Sequence, residues 1–272
     1  MSRPDKPVAL VTGASSGMGK DIASRLMREG YDVYAGARRM DRMADLEKTG
    51  ARTFALDVTL DQSMADAIGL VQAQSGRLDV LVNAAGYGQY GALEDVPIDE
   101  GRHQFETNLF GIARLVQLSL PMMRAQRSGR IINISSIGGK FALPLGGWYH
   151  ASKFALEGYS DALRNEVRQF GVDVVVIEPG GIASEWEGIA AKEADRLSGR
   201  GAYGDMVAKF RKLQSGQKGA PPSVVSDLIV RALKARDPAP RYSGGLMARP
   251  LLFLRRHLSD RLFDRLVMMS FR

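Results

Sequence analysis

Short apolar runs recur along the chain and predict buried strands. They lie at residues 8–12, 31–35, 53–56, 80–83, 130–135 and 172–178, and they are rich in β-branched residues. They are too continuously apolar for a sheet with one face in water, which favours parallel strands that are covered on both sides.

Helical patterns separate these runs, at about residues 17–29, 40–48, 61–75, 99–126 and 148–170. Strands that alternate with helices at this interval predict a doubly wound parallel α/β sheet, and right-handed crossovers then place helices on both faces. Because no linker, repeat or low-complexity segment interrupts the pattern, we expect residues 1–272 to form a single Rossmann-type domain.

The periodicity weakens after residue 179. Residues 180–220 are rich in glycine and polar residues, and a segment of this kind inside a compact domain predicts a lid or a substrate-binding loop. A helix is expected at 222–236, and a basic helical extension at about 246–272. Leucines at helical intervals between residues 251 and 266 predict a stripe that packs in a core or an interface.

Composition excludes several classes of protein. The chain has 272 residues and no cysteine, which excludes disulfide scaffolds and thiolate chemistry. The first residues resemble neither a secretory signal nor a transit peptide, and no run approaches the ~18–20 apolar residues of a membrane-spanning helix. We therefore expect a cytoplasmic protein.

The net charge of +7 is concentrated in residues 241–272, which contain seven arginines and two aspartates. A basic tail can attract anionic lipid or nucleic acid. The same pattern is typical of a solvated helix face or a subunit contact, and we favour this second interpretation. We expect no nucleic-acid partner, and a peripheral membrane contact stays open.

A glycine-rich turn at residues 12–19 (TGASSGMG) follows the first predicted strand and leads into the first helix. Glycine allows a tight turn and the close approach of a pyrophosphate, and the N–H groups at the helix start favour an anion. The turn therefore predicts a dinucleotide site. Its residues are Gly13, Ser15, Ser16, Gly17, Met18 and Gly19.

The end of the second predicted strand favours NADP over NAD. In NAD-specific folds an acidic residue at this position commonly binds the ribose 2′-hydroxyl. Here Ala37 stands at that position, and Arg38 and Arg39 follow. A guanidinium pairs well with a phosphate, so these arginines suit the 2′-phosphate of NADP. The alternative is that they are ordinary surface charges at a helix start.

Tyr149 and Lys153 lie four residues apart in a predicted helix and so share one face. The pKa of a tyrosine is ordinarily ~10, and a nearby cation lowers it. The pair therefore predicts a proton-transfer site, with Tyr149 as general acid in reduction and general base in oxidation. We expect no metal site, because the three histidines are scattered and HExxH is absent.

Seven motifs occur in the order that one family shows. They are TGxxxGxG, LDV around Asp57, NAAG at 83–86, Asn108, a serine at 135–136, YxxxK and EPGG at 178–181. The sequence resembles the short-chain dehydrogenase/reductase family over nearly its whole length. Residues 136–158 resemble the branch that contains 17β-hydroxysteroid dehydrogenases.

The resemblance implies further cofactor contacts. Asp57 and Val58 would contact the adenine, although a turn cap is the alternative role for Asp57. Three residues at the end of the fourth predicted strand and just beyond it would line the adenine ribose, and three just after the sixth would hold the nicotinamide. They are Asn83, Ala84 and Gly86, and Pro179, Gly180 and Ile182, respectively. Asn83 can also make a hydrogen bond between strands. Ser184 is the nearest hydroxyl where the family often has threonine, and its role stays open.

The resemblance also completes the catalytic set. Ser136 would bind the substrate oxygen, with Ser135 as the competing candidate, because the residues that follow Ser136 match the family pattern. Asn108 would position a water molecule behind Lys153 and so relay protons to solvent. The catalytic set is therefore Asn108, Ser136, Tyr149 and Lys153.

These observations predict an NADP(H)-dependent oxidoreductase that acts on a ketone or secondary alcohol of a small apolar substrate. The expected pocket wall is Tyr87, Ile137, Phe141, Trp148, Trp186, Met206 and Phe210. A homodimer or homotetramer is expected, with helices 99–126 and 148–170 at the interface. The alternatives are a 3-oxoacyl-carrier-protein reductase and, outside the enzymes, a nucleotide-sensing regulator on the same fold.

Overall fold

The computed structural model describes residues 6–215 and 218–271, except for the side chains of residues 186 and 187. In this part of the chain seven parallel strands form one sheet, in the order β3-β2-β1-β4-β5-β6-β7. The strands are β1 (Val8–Thr12), β2 (Asp32–Ala37), β3 (Arg52–Ala55), β4 (Val80–Asn83), β5 (Gly129–Ile134), β6 (Val172–Pro179) and β7 (Arg241–Gly244). The predicted doubly wound sheet is confirmed.

Eleven α-helices occur in the described residues. They are α1 (Gly17–Arg28), α2 (Ala44–Lys48), α3 (Asp61–Ser75), α4 (Ile98–Phe105), α5 (Gly111–Gln126), α6 (Gly147–Val167), α7 (Glu185–Ser198), α8 (Gly204–Ser215), α9 (Ser223–Lys234), α10 (Ala248–His257) and α11 (Asp260–Met269). A π-helical turn, Glu106–Phe110, joins α4 to α5, and a 3₁₀ turn, Ile137–Gly139, follows β5. No helix among the described residues is long and apolar enough to cross a bilayer.

The sheet lies between two apolar layers, as the continuously apolar strands require. On one face α1, α2 and α9 pack against it through residues such as Ile22, Leu46 and Ile229. On the other face α3, α5 and α6 pack through residues such as Val71 and Leu115. Both faces of the central strands are therefore shielded from water.

Three elements differ from the sequence-based expectation. The edge strand β7 was not predicted, because its four residues, RYSG, contain no apolar run and are only half-buried. The predicted 99–126 helix contains the π turn. The 180–220 segment, whose weak periodicity predicts a lid or a substrate-binding loop, contains two helices that the sequence pattern did not indicate. These are α7 and α8, which bury Ala190, Ala194, Val207 and Phe210 in one apolar cluster.

The strand order reverses at β1. The chain passes from β1 to β2 and β3 on one side and then returns to place β4 on the other side of β1. The connections after β1 and β4 therefore diverge and leave a crevice at the carboxyl ends of the strands, where ligands of open α/β sheets bind.

A buried polar network joins the central strands to α6. The Asn83 side chain donates to Asn133 Oδ1 at 2.8 Å, and Asn133 Nδ2 lies 2.9 Å from the hydroxyl of Ser160. Both asparagines and Ser160 are inaccessible to solvent, or almost so. Loss of Asn133 would leave buried donors and acceptors without partners, which is costly.

We predict that Asn133→Ala lowers the free energy of unfolding by about 2–3 kcal/mol, because the Asn83 amide loses its buried acceptor. Urea denaturation followed by circular dichroism measures this change. Asn165→Ala is the control, since that side chain is exposed and its hydrogen bond among the described residues is to the backbone of its own helix. Equal stabilities for the two variants would contradict the network's contribution.

Candidate active site

One cleft of about 840 Å³ runs along the carboxyl ends of the strands. Of the site residues predicted from the sequence, those that line it are Gly13, Ser15, Ser16, Gly17, Met18, Gly19, Arg38, Arg39, Asp57, Val58, Ala84, Gly86, Ser136, Tyr149, Pro179, Gly180 and Ile182. Asn83, Asn108 and Lys153 are buried and do not line it. The structure thus brings the predicted cofactor and proton-transfer residues to one place.

The glycine-rich turn is fixed by close backbone contacts. Gly13 has a φ of +70°, and a Cβ on Gly19 would lie 2.2 Å from the Gly13 carbonyl oxygen, so larger residues do not fit. The Thr12 hydroxyl accepts hydrogen bonds from the N–H groups of Ala84 and Ala85, each at 3.0 Å, and so joins this turn to β4. The first N–H groups of α1 are therefore held at the cleft, where they suit a pyrophosphate.

The end of the cleft beside the glycine-rich turn is basic. The Arg39 guanidinium donates to the Ser16 hydroxyl at 2.9 Å, which holds it over the glycine-rich turn. Glu185, the first residue of α7, binds Arg42 at 2.8 Å and lies 3.5 Å from Arg39. Arg38 also lines the cleft. Cationic groups are therefore available to a phosphate beside the turn, and sequence reasoning missed Arg42 and Glu185.

Asp57 caps a turn, which is the role predicted from the sequence as the alternative to an adenine contact. Its Oδ1 accepts from the Thr59 N–H at 3.0 Å and from the Thr59 hydroxyl at 2.7 Å. Burial opposes ionisation, but these hydrogen bonds and the charge of Arg38 lower the pKa of Asp57 overall. Asp57 and Val58 both face the cleft, so a contact with a nucleotide base is compatible with the cap.

Asn108 lies in the π turn between α4 and α5 and is fully buried. Its Oδ1 accepts from the Tyr87 N–H at 3.1 Å, and its Nδ2 donates to the Tyr87 carbonyl and the Ser152 hydroxyl at 3.0 and 3.1 Å. The side chain therefore clamps the loop after β4 to α6. A π turn in a helix often marks a functional position.

Ser136 and Tyr149 meet at the middle of the cleft. Ser136 caps the 3₁₀ turn after β5, where its hydroxyl accepts from the Gly138 N–H at 3.0 Å, and it also hydrogen-bonds the Tyr149 side chain. The competing candidate, Ser135, is buried, and its hydroxyl has no hydrogen-bond partner among the described residues. The geometry therefore favours Ser136.

Burial dominates the ionisation of the Tyr149–Lys153 pair. It raises the pKa of Tyr149 to about 12, although the hydrogen bond with Ser136 opposes the shift, and it lowers the pKa of Lys153 to about 8. The ammonium lies 5.9 Å from the centre of the Tyr149 ring and donates to the Ile134 carbonyl at 2.8 Å. The depression of the Tyr149 pKa that the sequence predicts is thus absent from the protein chain alone, because desolvation of the buried phenol outweighs the opposing hydrogen bond with Ser136.

The cleft continues past Tyr149 as an apolar arm. Tyr87, Ile137, Phe141 and Phe210 line the cleft as predicted. Trp148 and Met206 do not: Trp148 packs against Phe105 and Gly101, and Met206 packs in the cluster around Phe210. The side chain of Trp186 lies outside the described residues.

Sequence reasoning missed most of this arm, because it is built from distant segments. Its further apolar residues are Tyr90, Leu143, Ile189, Leu213, Leu246, Met247, Leu251, Leu254, Leu266, Val267 and Phe271. The leucine stripe between residues 251 and 266 was the sequence signal that could have identified part of this arm. The structure assigns that stripe to the wall of a cleft as well as to a core around Phe263.

The residues present fit a nicotinamide dinucleotide. One cleft is lined by Arg39, the start of α1 and the Ser136–Tyr149 pair, and Pro179, Gly180 and Ile182 line it as well. Ser184 also lines it and precedes α7. Among the described residues no cluster of His, Cys, Asp and Glu could hold a metal ion.

Comparison with known proteins agrees with this geometry. The family model for short chain dehydrogenase matches residues 7–194. A probable short-chain type dehydrogenase/reductase, VdlC of Helicobacter pylori, is 36% identical over 261 residues, which cover 95% of this chain and 96% of that protein. The NADPH-dependent 3-dehydrocapnine reductase of Ornithobacterium rhinotracheale is 34% identical, with 95% of each chain covered.

A solved short-chain dehydrogenase from Streptomyces avermitilis superposes with a TM-score of 0.81, at 35% identity and with 96% of each chain covered. Other solved neighbours are in complex with NADP, NADPH or NAD. A nicotinamide cofactor is therefore supported, and the neighbours do not decide between NADP and NAD.

We predict that Tyr149→Phe lowers the turnover number at least a hundredfold, because the variant keeps the ring but loses the acidic proton. Nucleotide affinity, measured by fluorescence titration, should change little. Tyr159→Phe is the matched control, since Tyr159 lies on the same helix and packs in the core away from the cleft. Comparable turnover in the Tyr149 variant would remove Tyr149 from the chemistry.

Proposed function

The chain belongs to the short-chain dehydrogenase/reductase family of oxidoreductases, and we propose that it transfers a hydride between NADP(H) and a ketone or secondary alcohol. The observation that carries this proposal is the hydrogen-bonded Ser136–Tyr149 pair on the cleft wall, with Lys153 behind it. Reduced nicotinamide supplies the hydride when it is bound.

The chain's own residues handle the proton. With a pKa of about 12, Tyr149 is protonated at neutral pH, which suits a general acid that protonates the developing alkoxide. Ser136 donates a hydrogen bond to the same oxygen, and the charge of Lys153 stabilises the phenolate that remains. Asn108 contributes by holding the loop after β4 against α6. We propose that a water molecule between Asn108 and Lys153 relays protons to solvent.

The basic end of the cleft supports NADP as the preferred cofactor. Arg39 is held over the glycine-rich turn by Ser16, and Arg38 lines the same end. A 2′-phosphate would gain charge-assisted hydrogen bonds there that a 2′-hydroxyl cannot match. The name of the Ornithobacterium relative also specifies NADPH.

The apolar arm supports an apolar substrate, such as a steroid-like, polyketide-like or lipid-derived ketone. Its wall includes residues of α10 and α11, which form the basic, leucine-rich extension predicted at about 246–272. The arm therefore favours a free apolar ketone over a carrier-bound 3-oxoacyl chain. The regulator alternative is disfavoured because the catalytic pair is intact and assembled.

We also propose that the protein works in the cytoplasm as a homodimer or homotetramer. The expected interface helices support the oligomer, because Phe110 and Phe154 are both large apolar residues left exposed on them.

A peripheral membrane contact through α10 and α11 is proposed on two observations. Phe253 and Met269 are 62% and 65% exposed, and Leu262 and Met268 are exposed beside them. Four exposed arginines of these helices form no ion pair with any residue that the structure describes: Arg249, Arg256, Arg261 and Arg265. Apolar side chains among arginines suit the surface of an anionic bilayer.

The cofactor proposal predicts that the double variant Arg38→Ala/Arg39→Ala lowers the NADPH-to-NADH ratio of kcat/KM about tenfold or more, because phosphate contacts are lost. The assay is nucleotide oxidation with a panel of apolar ketones. Arg28→Ala, on the exposed side of α1, is the control for lost charge. A wild-type enzyme that prefers NADH would contradict the cofactor proposal, and no turnover of any ketone would contradict the activity.

The membrane proposal predicts that the protein floats with vesicles that contain phosphatidylglycerol and stays unbound with pure phosphatidylcholine, since the attraction is electrostatic. Arg261→Glu/Arg265→Glu should abolish flotation, whereas Arg28→Glu/Lys48→Glu, with the same charge change on α1 and α2, should not. Equal effects of the two double variants would show a general charge effect. Flotation absent from wild type, with a larger mass in solution, would assign the surface to a second copy.

A further inference from the structure

A cluster of charged residues surrounds a buried glutamate on α6, one turn beyond Lys153. Its centre is Glu157, which is only 4% exposed. One carboxylate oxygen, Oε2, accepts from Lys140 at 2.7 Å and from Arg241 at 2.9 Å. The other, Oε1, has no hydrogen-bond partner among the described residues. A buried carboxylate needs compensating charge, and here it draws that charge from two other elements.

The remaining groups that face Glu157 complete the cluster. Glu178 at the end of β6 lies 3.4 Å from Arg241 and 3.6 Å from Lys140, and burial and the charge of Glu157 raise its pKa. Asp161, one turn further along α6, accepts from Arg241 at 2.7 Å. The cluster thus joins α6, β6, β7 and the loop after Ser136.

Glu157 is also the charged neighbour of Lys153. The two residues are separated by four positions on α6 and therefore share a face. A Cβ on Gly139 would lie 2.9 Å from Glu157 Cγ and 3.1 Å from the Lys153 carbonyl oxygen, so this glycine packs into the corner between them. Burial lowers the pKa of Lys153, and the charge of Glu157 opposes that shift.

We propose that Glu157 is a positioning residue whose carboxylate keeps Lys153 positively charged beside Tyr149 and, through Lys140, fixes the Ser136 loop against α6. This inference rests on the proposed function, because the charge matters only if Tyr149 transfers a proton. Without its charge, Lys153 would no longer stabilise the phenolate that forms when Tyr149 gives up its proton. The enzyme would then lose activity at the pH at which Lys153 loses its proton.

The test is the pH profile of kcat for reduction of a water-soluble ketone by Glu157→Gln. The neutral amide keeps the size of the side chain and a hydrogen-bond acceptor but removes the charge. Without that charge Lys153 loses its proton at a lower pH. The alkaline limb of the kcat profile should therefore move to lower pH by about one pH unit. At pH 6, where Lys153 stays protonated, kcat should remain within about twofold of wild type. At pH 8.5 it should fall about fivefold to tenfold.

Asp161→Asn is the matched control, since it removes a carboxylate that binds the same arginine from the same helix. It should keep the wild-type alkaline limb. Glu157→Asp retains the charge and should return the alkaline limb of the kcat profile most of the way to its wild-type position. This variant also keeps the test valid if the glutamine variant folds poorly. A rate loss that is equal at every pH, or an equal shift in Asp161→Asn, would overturn the proposal.

A direct readout separates this inference from the proposed function. The ¹³Cε resonance of Lys153, assigned by comparison with Lys153→Met, reports its protonation without any substrate. We expect its titration midpoint to fall by about one unit in Glu157→Gln and to stay unchanged in Asp161→Asn. An unchanged midpoint in Glu157→Gln overturns the inference even if wild type reduces ketones. A lowered midpoint with no ketone turnover by wild type overturns the proposed function instead.

Discussion

The arrangement of the site depends on the buried ammonium of Lys153. A charged group inside a protein is costly unless it is hydrogen-bonded, and here it donates to the carbonyl of Ile134 at 2.8 Å. Ile134 is the last residue of β5, so this bond fixes α6 to the end of that strand. Ser136 follows Ile134 by two residues and Tyr149 precedes Lys153 by one helical turn, and their hydrogen bond follows from that attachment.

The sheet topology brings this assembly to a nucleotide cleft. Reversal of strand order at β1 opens the crevice between β1 and β4. The Thr12 hydroxyl at the end of β1 binds the backbone that follows β4 and so holds the two sides of the crevice together. β5 is the next strand beyond β4, so the Ser136–Tyr149 pair lies along the same edge of the sheet as the glycine-rich turn. One cleft can then hold a dinucleotide and present a substrate oxygen to an acid.

The sequence was sufficient for elements whose signal is local. Each central strand is a continuous apolar run, and the turn around Gly13 and the Tyr149–Lys153 pair are contained in short motifs. The edge strand β7 was missed because it pairs with β6 through its backbone and has little apolar character. The apolar arm was largely missed because α10 and α11 reach it by long-range packing, and Trp148 was misassigned for the same reason: its ring packs on α4.

Burial explains why the spacing of Tyr149 and Lys153 predicts the wrong direction for the Tyr149 pKa in the protein chain alone. The spacing identifies the cation, but only the fold shows how strongly the phenol is desolvated. The proposed chemistry requires Ser136 and Tyr149 to act together on one substrate oxygen. A crystal structure of the enzyme with NADP⁺ and a bound secondary alcohol is the decisive measurement. We predict that the alcohol oxygen lies within ~3 Å of both hydroxyls. An alcohol bound in the cleft with its oxygen out of reach of Tyr149 would contradict it.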